Sequence, residues 1–367
     1  MLFDPRPKEK LKDIFDRENE VELLKRSLDS PLTIVSGLRR TGKTSLVKSV
    51  LNEVKAFHIS LDMRRFENKE YIVYKDFLGV LEREVNSITK KWKGVLDHFK
   101  AVKGVSVAGM SLSFSWGKER TEFSDVLSSL DDWANENGRN VTVVIDEAQE
   151  LMKLKGYDVL PSIAYAFDNL RNVNFIITGS EVRVKTKFLK LEKENSPLYG
   201  RAYVEVNVNT FDKETSIKFL KKGFEEQGIN FRKGEEVYEG LGGNPGWLTY
   251  YGYLYVKEGD GQAMENTRMY ARKLLSKELC DFLVEGGRLG SKGRYLRVLE
   301  TCKSGCSWKD IKNALEALEG REVNDGTVHT ILQNLLDYSF LVFEGKGKYF
   351  LADPLMKELN DVRCSSL

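Results

Sequence analysis

One motif constrains this chain more than any other feature: Gly37-Leu38-Arg39-Arg40-Thr41-Gly42-Lys43-Thr44. It follows a short apolar run, 31–36, typical of a buried strand, and it precedes residues 43–54, whose apolar spacing predicts a helix. The glycines allow the chain to curl until consecutive backbone N–H groups point at one anion, and the helix N-terminus favours the same charge. This GxxxxGK[ST] pattern therefore predicts a loop that binds the phosphates of a nucleoside triphosphate.

Two side chains at the end of this loop have distinct expected roles. We expect Lys43 to reach the β- and γ-phosphates and to act in catalysis, and Thr44 to ligate Mg²⁺. The other expected nucleotide contacts come from the loop and the first helical turn: Gly37, Leu38, Arg39, Arg40, Thr41, Gly42 and Ser45.

A second pair of residues supplies what hydrolysis requires beyond phosphate binding. Asp146 and Glu147 follow the apolar run Val141-Thr142-Val143-Val144-Ile145, so they emerge at the carboxyl end of a buried strand, where open α/β sheets bind ligands. We expect Asp146 to bind the hydrated magnesium ion and Glu147 to act as general base toward the attacking water. Alone, an apolar run ending in Asp-Glu often means only a strand end; here it follows a phosphate-binding loop.

Two further residues have open interpretations. Ser180 ends the run Phe175-Ile176-Ile177-Thr178-Gly179-Ser180, and its hydroxyl is our first choice for a hydrogen bond to the γ-phosphate or the attacking water. The alternative is that it merely closes the strand. Arg201 precedes another predicted strand, and its guanidinium suits charge neutralisation in phosphoryl transfer or, equally, a structural salt bridge.

The order of strand-like and helix-like segments predicts three domains. Short apolar runs separated by helical stretches favour a parallel sheet covered by helices, here a P-loop core over 1–209 with a helical and hairpin insertion at about 65–120. Residues 210–286 read as helical throughout. A glycine-rich linker, 286–293, leads to a third domain, 289–367, with three short helices and two strands, the pattern of a winged helix.

Several motifs together resemble a known family. They are Phe15-Asp16-Arg17-Glu18 with Glu20 and Leu23, GLRRTGKTSL, VVIDEAQEL, FIITGS, PLYGR, and Gly242-Gly243-Asn244-Pro245-Gly246-Trp247-Leu248, with Leu351-Ala352-Asp353-Pro354-Leu355 near the end. Their order resembles the archaeal ATPase family, of the STAND branch of P-loop NTPases, which is related to AAA+ proteins and origin-recognition initiators.

The resemblance implies an ATPase that binds ATP or ADP with Mg²⁺. It also implies a sheet order of 5-1-4-3-2 followed by a helical lid, with Arg17 beside the adenine and Pro245 over the base or ribose. A helix-linking turn is the alternative for 242–246. The chain departs from the pattern at Ser180, where many STAND proteins carry arginine, and at the lid turn, which has no arginine. Slow hydrolysis, or dependence on a partner, is expected.

Charge and composition limit the partners. Lys plus Arg number 57 and Asp plus Glu 55, which gives no general attraction to nucleic acid or membrane. No apolar run is long enough to span a bilayer, and the start lacks a signal-peptide core, so we expect a cytoplasmic protein. The four cysteines show no metal-ligand spacing and are expected to be buried or idle thiols.

The winged helix leaves two classes of function open. Residues 289–359 carry ten basic and ten acidic side chains, and the predicted recognition helix at 325–334 has neither Lys nor Arg, so phosphate contacts would come from Lys346 and Lys348. The first hypothesis is a nucleotide-operated ATPase switch whose effector is a protein partner, self-association or DNA. The second is a nucleotide-gated DNA-binding module with little hydrolysis. A small-molecule kinase is disfavoured, because Glu147 suits water activation and no acceptor pocket is visible.

Overall fold

Two compact units make up the part of the chain that the computed structural model describes, residues 1–180, 183–359 and 362–364. The core unit comprises Pro7–Gly37 and Lys43–Val208. The lid-wing unit comprises Met1–Arg6, Leu38–Gly42 and the chain from Asn209 onward. The predicted lid and winged helix thus belong to one unit, and five residues of the phosphate loop group with them.

The core unit alternates strands and helices. In chain order its elements are α1 (Glu18–Arg26), β1 (Leu32–Ser36), α2 (Lys43–Glu53), β2 (Phe57–Asp62), β3 (Ile72–Val73), α3 (Tyr74–Thr89), α4 (Val95–Phe99), β4 (Val105–Ala108), β5 (Ser111–Phe114), α5 (Phe123–Glu136), β6 (Val141–Asp146), β7 (Leu154–Lys155), α6 (Leu160–Asn169), β8 (Val173–Gly179) and β9 (Val204–Asn207).

Five of these strands form one parallel sheet in the order β2-β6-β8-β1-β9. Numbered 1 to 5 along the chain and read from the β9 edge, these five strands lie in the order 5-1-4-3-2. Every residue of β1, β6 and β8 is buried, because helices cover both faces of the sheet. Alternate residues therefore serve different cores: Ile34 packs in the cluster with α3, α5 and α6, whereas Val35 packs in the cluster with α1 and α2.

The insertion after β2 contains the predicted hairpin. Strands β4 and β5 pair antiparallel, with Val107 opposite Leu112. Gly109 adopts a φ of 62° at the turn, a left-handed conformation that glycine tolerates without steric cost. The alternation of small polar and apolar residues leaves Leu112 and Phe114 facing the core.

The lid-wing unit is helical and then mixed. Its elements are α7 (Lys213–Glu225), α8 (Gly234–Leu241), α9 (Pro245–Glu258), α10 (Asp260–Glu285), α11 (Lys292–Thr301), β10 (Cys306–Ser307), α12 (Trp308–Glu319), α13 (Asp325–Asp337), β11 (Leu341–Phe343) and β12 (Lys348–Leu351). The last three strands form an antiparallel sheet in the order β10-β12-β11. The winged helix is present, with helix bounds within two residues of those expected.

The four cysteines were expected to be buried or idle thiols, and this is wrong because all four are bonded in disulfides. Cys280 in α10 is bonded to Cys364, and Cys302 is bonded to Cys306, with Cα–Cα distances of 5.3 and 4.7 Å. Sequence spacing did not reveal the first pair because its members lie 84 residues apart and meet only in the folded unit. Disulfides occur in oxidising compartments and also inside the cells of hyperthermophilic archaea.

Candidate nucleotide site

The carboxyl edge of the sheet brings the predicted site residues of the core unit together. Because β1, β6 and β8 are parallel neighbours, Gly37, Asp146 and Thr178 all lie where their strands end. Strand β2 joins the same edge, with Asp62 directly opposite Asp146. Two glycines in the loop after β1, Gly37 and Gly42, have φ values of 149° and 101°, as the predicted curl of the chain requires.

Lys43, Thr44, Asp146 and Glu147 form one cluster within the core unit. The Lys43 side chain is only 5% exposed, donates a hydrogen bond of 3.1 Å from Nζ to the Gly37 carbonyl, and lies 3.8 Å from Oε1 of Glu147. Thr44 Oγ1 donates to Oδ2 of Asp146 at 3.0 Å. A buried ammonium needs charged or strongly polar partners, so this arrangement is suited to an anion beside Lys43.

Glu147 occupies a strained position at the end of β6. Its φ of 53° lies in the left-handed region, which costs a residue other than glycine about 1 kcal/mol or more. Its backbone N–H donates to Thr178 Oγ1 at 3.2 Å, and Gln149 Nε2 donates to its Oε2. Strain held by neighbouring hydrogen bonds is common where a side chain must be aimed, and here the aimed group is the Glu147 carboxylate.

The Asp146 carboxylate is buried among hydroxyls and one cation. Burial raises its pKa, while hydrogen bonds from Thr178 and Thr44 and the charge of Arg64 act in the opposite direction. Arg64 Nη2 lies 3.3 Å from Asp146 Oδ2. Sequence reasoning missed Arg64, since it belongs to no motif; the pairing of Asp62 with Asp146 is what carries it to this edge.

The hydroxyls of the two predicted serines have different environments. Ser180 is 7% exposed, and its Oγ has no hydrogen-bond partner within the described part of the chain. Gln149 Oε1 is also buried without a hydrogen-bond partner among the described residues, and it lies 2.2 Å from where a β-carbon at Gly179 would stand. Ser45 Oγ, by contrast, accepts a hydrogen bond from the Lys8 backbone at 3.0 Å. Two unmatched buried oxygens therefore flank the end of β8.

Two other predicted site residues of the core unit, Arg201 and Arg17, pair with carboxylates outside this cluster. Arg201 pairs through Nε with Asp168 in α6 at 3.0 Å, and also donates to the Pro197 carbonyl, so the observed arrangement is the salt bridge of the structural interpretation. Arg17 directly precedes α1 and pairs with Glu20 at 3.1 Å, and burial lowers its pKa. Roles for Arg201 in catalysis and for Arg17 beside adenine stay predictions.

The tip of the loop, residues 38–42, is bound within the lid-wing unit. Arg39 Nη1 lies 3.2 Å from Oε1 of Glu278 in α10, and Arg40 Nη2 donates to the same oxygen. The Arg40 guanidinium also lies 4.5 Å from the ring centre of Trp247. Thr41 Oγ1 donates back to the Leu38 carbonyl at 2.9 Å.

The turn before α9 supplies a second set of contacts to the same tip. Asn244 Nδ2 donates to the Arg39 carbonyl at 3.1 Å, and the Gly246 N–H donates to the Arg40 carbonyl at 3.0 Å. Pro245, at the first position of α9, fits there because a helix start needs no N–H from that residue. Its predicted contact with base or ribose stays a prediction.

Trp247 continues this contact chain toward the end of the winged helix. Its indole Nε1 donates a hydrogen bond of 2.7 Å to Oδ2 of Asp353, the residue that caps the short helix Pro354–Glu358. Burial raises the pKa of Asp353, and the hydrogen bond from Trp247 opposes that rise. The sequence did not predict the contacts of the loop arginines with Glu278, of Arg40 with Trp247, or of Trp247 with Asp353.

The donor set of the core unit fits magnesium. Mg²⁺ prefers hard oxygen ligands and is usually held by one or two protein groups plus phosphates and water. Thr44 and Asp146 provide a hydroxyl and a carboxylate 3.0 Å apart, beside the buried Lys43. Among the described residues, no cluster of three or more His, Cys, Asp or Glu could hold a metal without such added ligands. No described helix is long and apolar enough to cross a membrane.

Comparison with known proteins agrees with this geometry. Residues 14–251 match the family described as an ATPase domain predominantly from Archaea, and residues 290–352 match the C-terminal winged helix-turn-helix domain of MCM proteins. No curated protein sequence matches significantly.

Two solved structures illustrate the likeness. The Walker-type ATPase paby2304 of Pyrococcus abyssi is 34% identical, with 98% of this chain and 99% of that chain covered and a TM-score of 0.80. The ORC2 protein of Aeropyrum pernix, solved in complexes with ADPNP and ADP, shares the fold at 14% identity, with 98% and 95% coverage and a TM-score of 0.51. Because the family match covers well over half of the sequence and a relative above 30% identity spans it, the chain belongs to the archaeal ATPase family.

Proposed function

We propose that this chain is a magnesium-dependent ATPase that works as a nucleotide-operated switch, with the winged helix as its effector domain. Support for ATP hydrolysis comes from the cluster of Lys43, Thr44, Asp146 and Glu147 at the carboxyl edge of the sheet. It contains a buried cation, an oxygen pair suited to Mg²⁺ and a carboxylate aimed by backbone strain.

Each residue of the cluster has a definite chemical task in this proposal. Thr44 and Asp146 hold Mg²⁺, whose charge offsets that of the phosphates when bound. Lys43 exchanges its contact with Glu147 for phosphate oxygens. Glu147 then accepts a proton from the attacking water, while the buried oxygens of Ser180 and Gln149 hydrogen-bond that water.

The switch rests on one observation: Arg39 and Arg40 of the phosphate loop both bind Glu278 of α10. A phosphate group entering the loop competes for these guanidiniums, because arginine binds phosphate and carboxylate with the same paired geometry. Arg40 also packs on Trp247, which is bonded to Asp353 after the wing. Nucleotide state is thereby transmitted to the lid and to the end of the winged helix.

Hydrogen exchange on the full chain tests the proposal. In Glu147→Gln, which should bind ATP without turning it over, ATP is expected to change amide exchange in α9, α10 and 352–359 relative to ADP. Lys43→Ala should abolish ATP turnover and this difference, and Glu278→Gln should keep ATP binding but lose the difference. If the wild-type protein never hydrolyses ATP, the proposed ATPase activity is wrong. If it hydrolyses ATP but amide exchange is identical in ATP and ADP, the proposed switch is wrong.

A nucleotide-gated DNA-binding module is the second candidate, and the observation that favours it is the winged helix itself. The exposed face of α13 carries neither Lys nor Arg, since it consists of Asp325, Gly326, His329, Thr330 and Gln333. Lys346 and Lys348 in the wing are exposed. Two phosphate contacts predict that log K for a labelled duplex falls with log salt at a slope of about −2. Double substitution of these lysines by Ala should remove binding; a shift unaffected by it would contradict this interface.

A further inference from the structure

Arg64 contacts Asp146 and is held there by a second carboxylate, that of Asp62. Its Nε and Nη2 donate to the two oxygens of Asp62 at 2.9 and 2.6 Å, and its backbone N–H donates to Asp62 Oδ1 at 3.0 Å. This bidentate pair fixes the guanidinium plane. The remaining contact, Nη2 to Asp146 Oδ2 at 3.3 Å, extends from that fixed plane.

The contact involves the oxygen that Thr44 also uses. Asp146 Oδ2 accepts a hydrogen bond from Thr44 Oγ1 and also lies beside Arg64. The Thr44 hydroxyl and the Asp146 carboxylate are the groups expected to hold Mg²⁺. A divalent ion on that carboxylate and a guanidinium on the same oxygen repel each other. Mg²⁺ and Arg64 therefore compete for Asp146.

Asp62 limits where Arg64 goes when it loses that competition. With two hydrogen bonds to Asp62, the guanidinium stays at the carboxyl edge of the sheet, beside the Asp146 oxygen that Thr44 also contacts. Its side chain is 42% exposed, so a ligand at this edge can reach it. The negative charge that ATP carries and ADP lacks is that of the terminal phosphate, and it is the charge that distinguishes the two nucleotides for a guanidinium at this edge.

We propose that Arg64 is a magnesium-gated arginine: it neutralises Asp146 in the nucleotide-free chain and pairs with the terminal phosphate of ATP once Mg²⁺ occupies Asp146. It supplies, from within the same chain, the positive charge that the sequence lacks at position 180 and at the lid turn. The inference rests on the proposed ATP site and adds a residue that distinguishes ATP from ADP.

Nucleotide affinity in the absence of turnover tests this role. Fluorescent mant-ATP and mant-ADP are titrated onto the full chain carrying Glu147→Gln, in Mg²⁺ and in EDTA, and the ratio of the two dissociation constants is compared. Adding Arg64→Ala should lower the preference for ATP about tenfold in Mg²⁺, since a charge-assisted hydrogen bond is worth about one power of ten in affinity. In EDTA the ratio should change less than about twofold.

Two companion variants separate a local role from general damage. Arg64→Lys keeps the charge without the bidentate anchor and should restore part of the preference. Arg120→Ala removes an arginine that pairs with the carboxylate two residues away, as Arg64 does, but has Glu122 as its partner, and should leave both affinities unchanged.

The outcomes distinguish this proposal from the one it rests on. A parent chain that binds neither nucleotide overturns the proposed function and the role of Arg64 with it. A parent chain that prefers ATP in Mg²⁺ while Arg64→Ala leaves that preference intact overturns the role of Arg64 alone. Equal loss of ATP and ADP binding, or the same loss of preference in EDTA, also overturns it, because either result means general or ungated attraction.

Discussion

Trp247 Nε1 donates a 2.7 Å hydrogen bond to Oδ2 of Asp353, and both residues are buried in the lid-wing unit. The indole is 1% exposed and also carries the Arg40 guanidinium on its ring. One aromatic side chain in α9 thus contacts the phosphate loop on one side and the residue that follows the wing on the other.

Trp247→Phe should destabilise the chain by roughly 3 kcal/mol, because it leaves a buried carboxylate without its donor and opens a small cavity. A double-mutant cycle with Asp353→Ala separates the two causes. We expect a coupling energy of about 1.5 kcal/mol from urea unfolding. Strictly additive effects would show that the hydrogen bond contributes nothing to stability.

Asp353 should make stability depend on pH. Burial raises its pKa in the folded chain above the ordinary value of 3.8, so the folded state keeps a proton that the unfolded state has released. Its contribution is complete below that ordinary value and is lost as the pH rises through the folded pKa. The free energy of unfolding of wild type minus that of Asp353→Asn should therefore fall as the pH rises above about 4. A difference that stays constant as the pH rises, measured by urea unfolding, would contradict the shift.

Gly246→Ala and Gly79→Ala should change the stability of the chain in opposite directions, although both replace a glycine within a helix. A β-carbon at Gly246 would lie 2.6 Å from Arg40 Cβ and 3.1 Å from the Arg40 carbonyl, so the loop tip must move away from α9. We expect a loss of about 2 kcal/mol and weaker ATP binding.

Gly79 in α3 has no atom within 4 Å of the added carbon, so alanine should stabilise by about 1 kcal/mol through its helix propensity. Thermal unfolding and mant-ATP titration of both variants provide the check. Stabilisation by both would mean that α9 does not need the close approach of Arg40.

The two disulfides should contribute unequally to stability. Cys280–Cys364 spans 84 residues and Cys302–Cys306 spans 4, and a cross-link that closes a longer loop removes more entropy from the unfolded chain. We expect Cys364→Ser to cost roughly 4 kcal/mol and Cys306→Ser roughly 2 kcal/mol in unfolding experiments without reductant. With reductant, the wild type should lose about as much stability as the variant that carries both Cys364→Ser and Cys306→Ser. No effect of reductant on wild type would show that the thiols are not bonded in solution.

Much of the fold could be predicted from local patterns. The glycine loop between a strand and a helix, the Asp146-Glu147 strand end, the β4–β5 hairpin and the three helices of the winged domain all follow from periodicity and turn residues near one another in sequence. The contact of Arg64 with Asp146 could not be predicted in this way, since an arginine after a strand looks like any solvated side chain until the sheet register is known.

Arg201 shows the same difficulty from the other direction. Its place between a glycine and a strand is compatible with a role at the phosphates, but its contacts are with Asp168 and Pro197. Which carboxylate an arginine finds depends on helix packing, and α6, which carries Asp168, is distant in sequence. The disulfide between Cys280 and Cys364 is hidden for the same reason.

The amino-acid sequence by itself determined which chemical groups this protein has available: a curled phosphate loop, a hydroxyl and a carboxylate suited to Mg²⁺, a carboxylate suited to act as a base, and a winged helix without a basic recognition helix. These are local properties of short segments, set by glycine freedom and apolar period. Only the tertiary structure decided which charges compensate one another, with Arg64 on Asp146, Arg39 and Arg40 on Glu278, and Trp247 on Asp353. Long-range ion pairs and hydrogen bonds arise from strand register and helix packing, and neither can be read from residues taken in order.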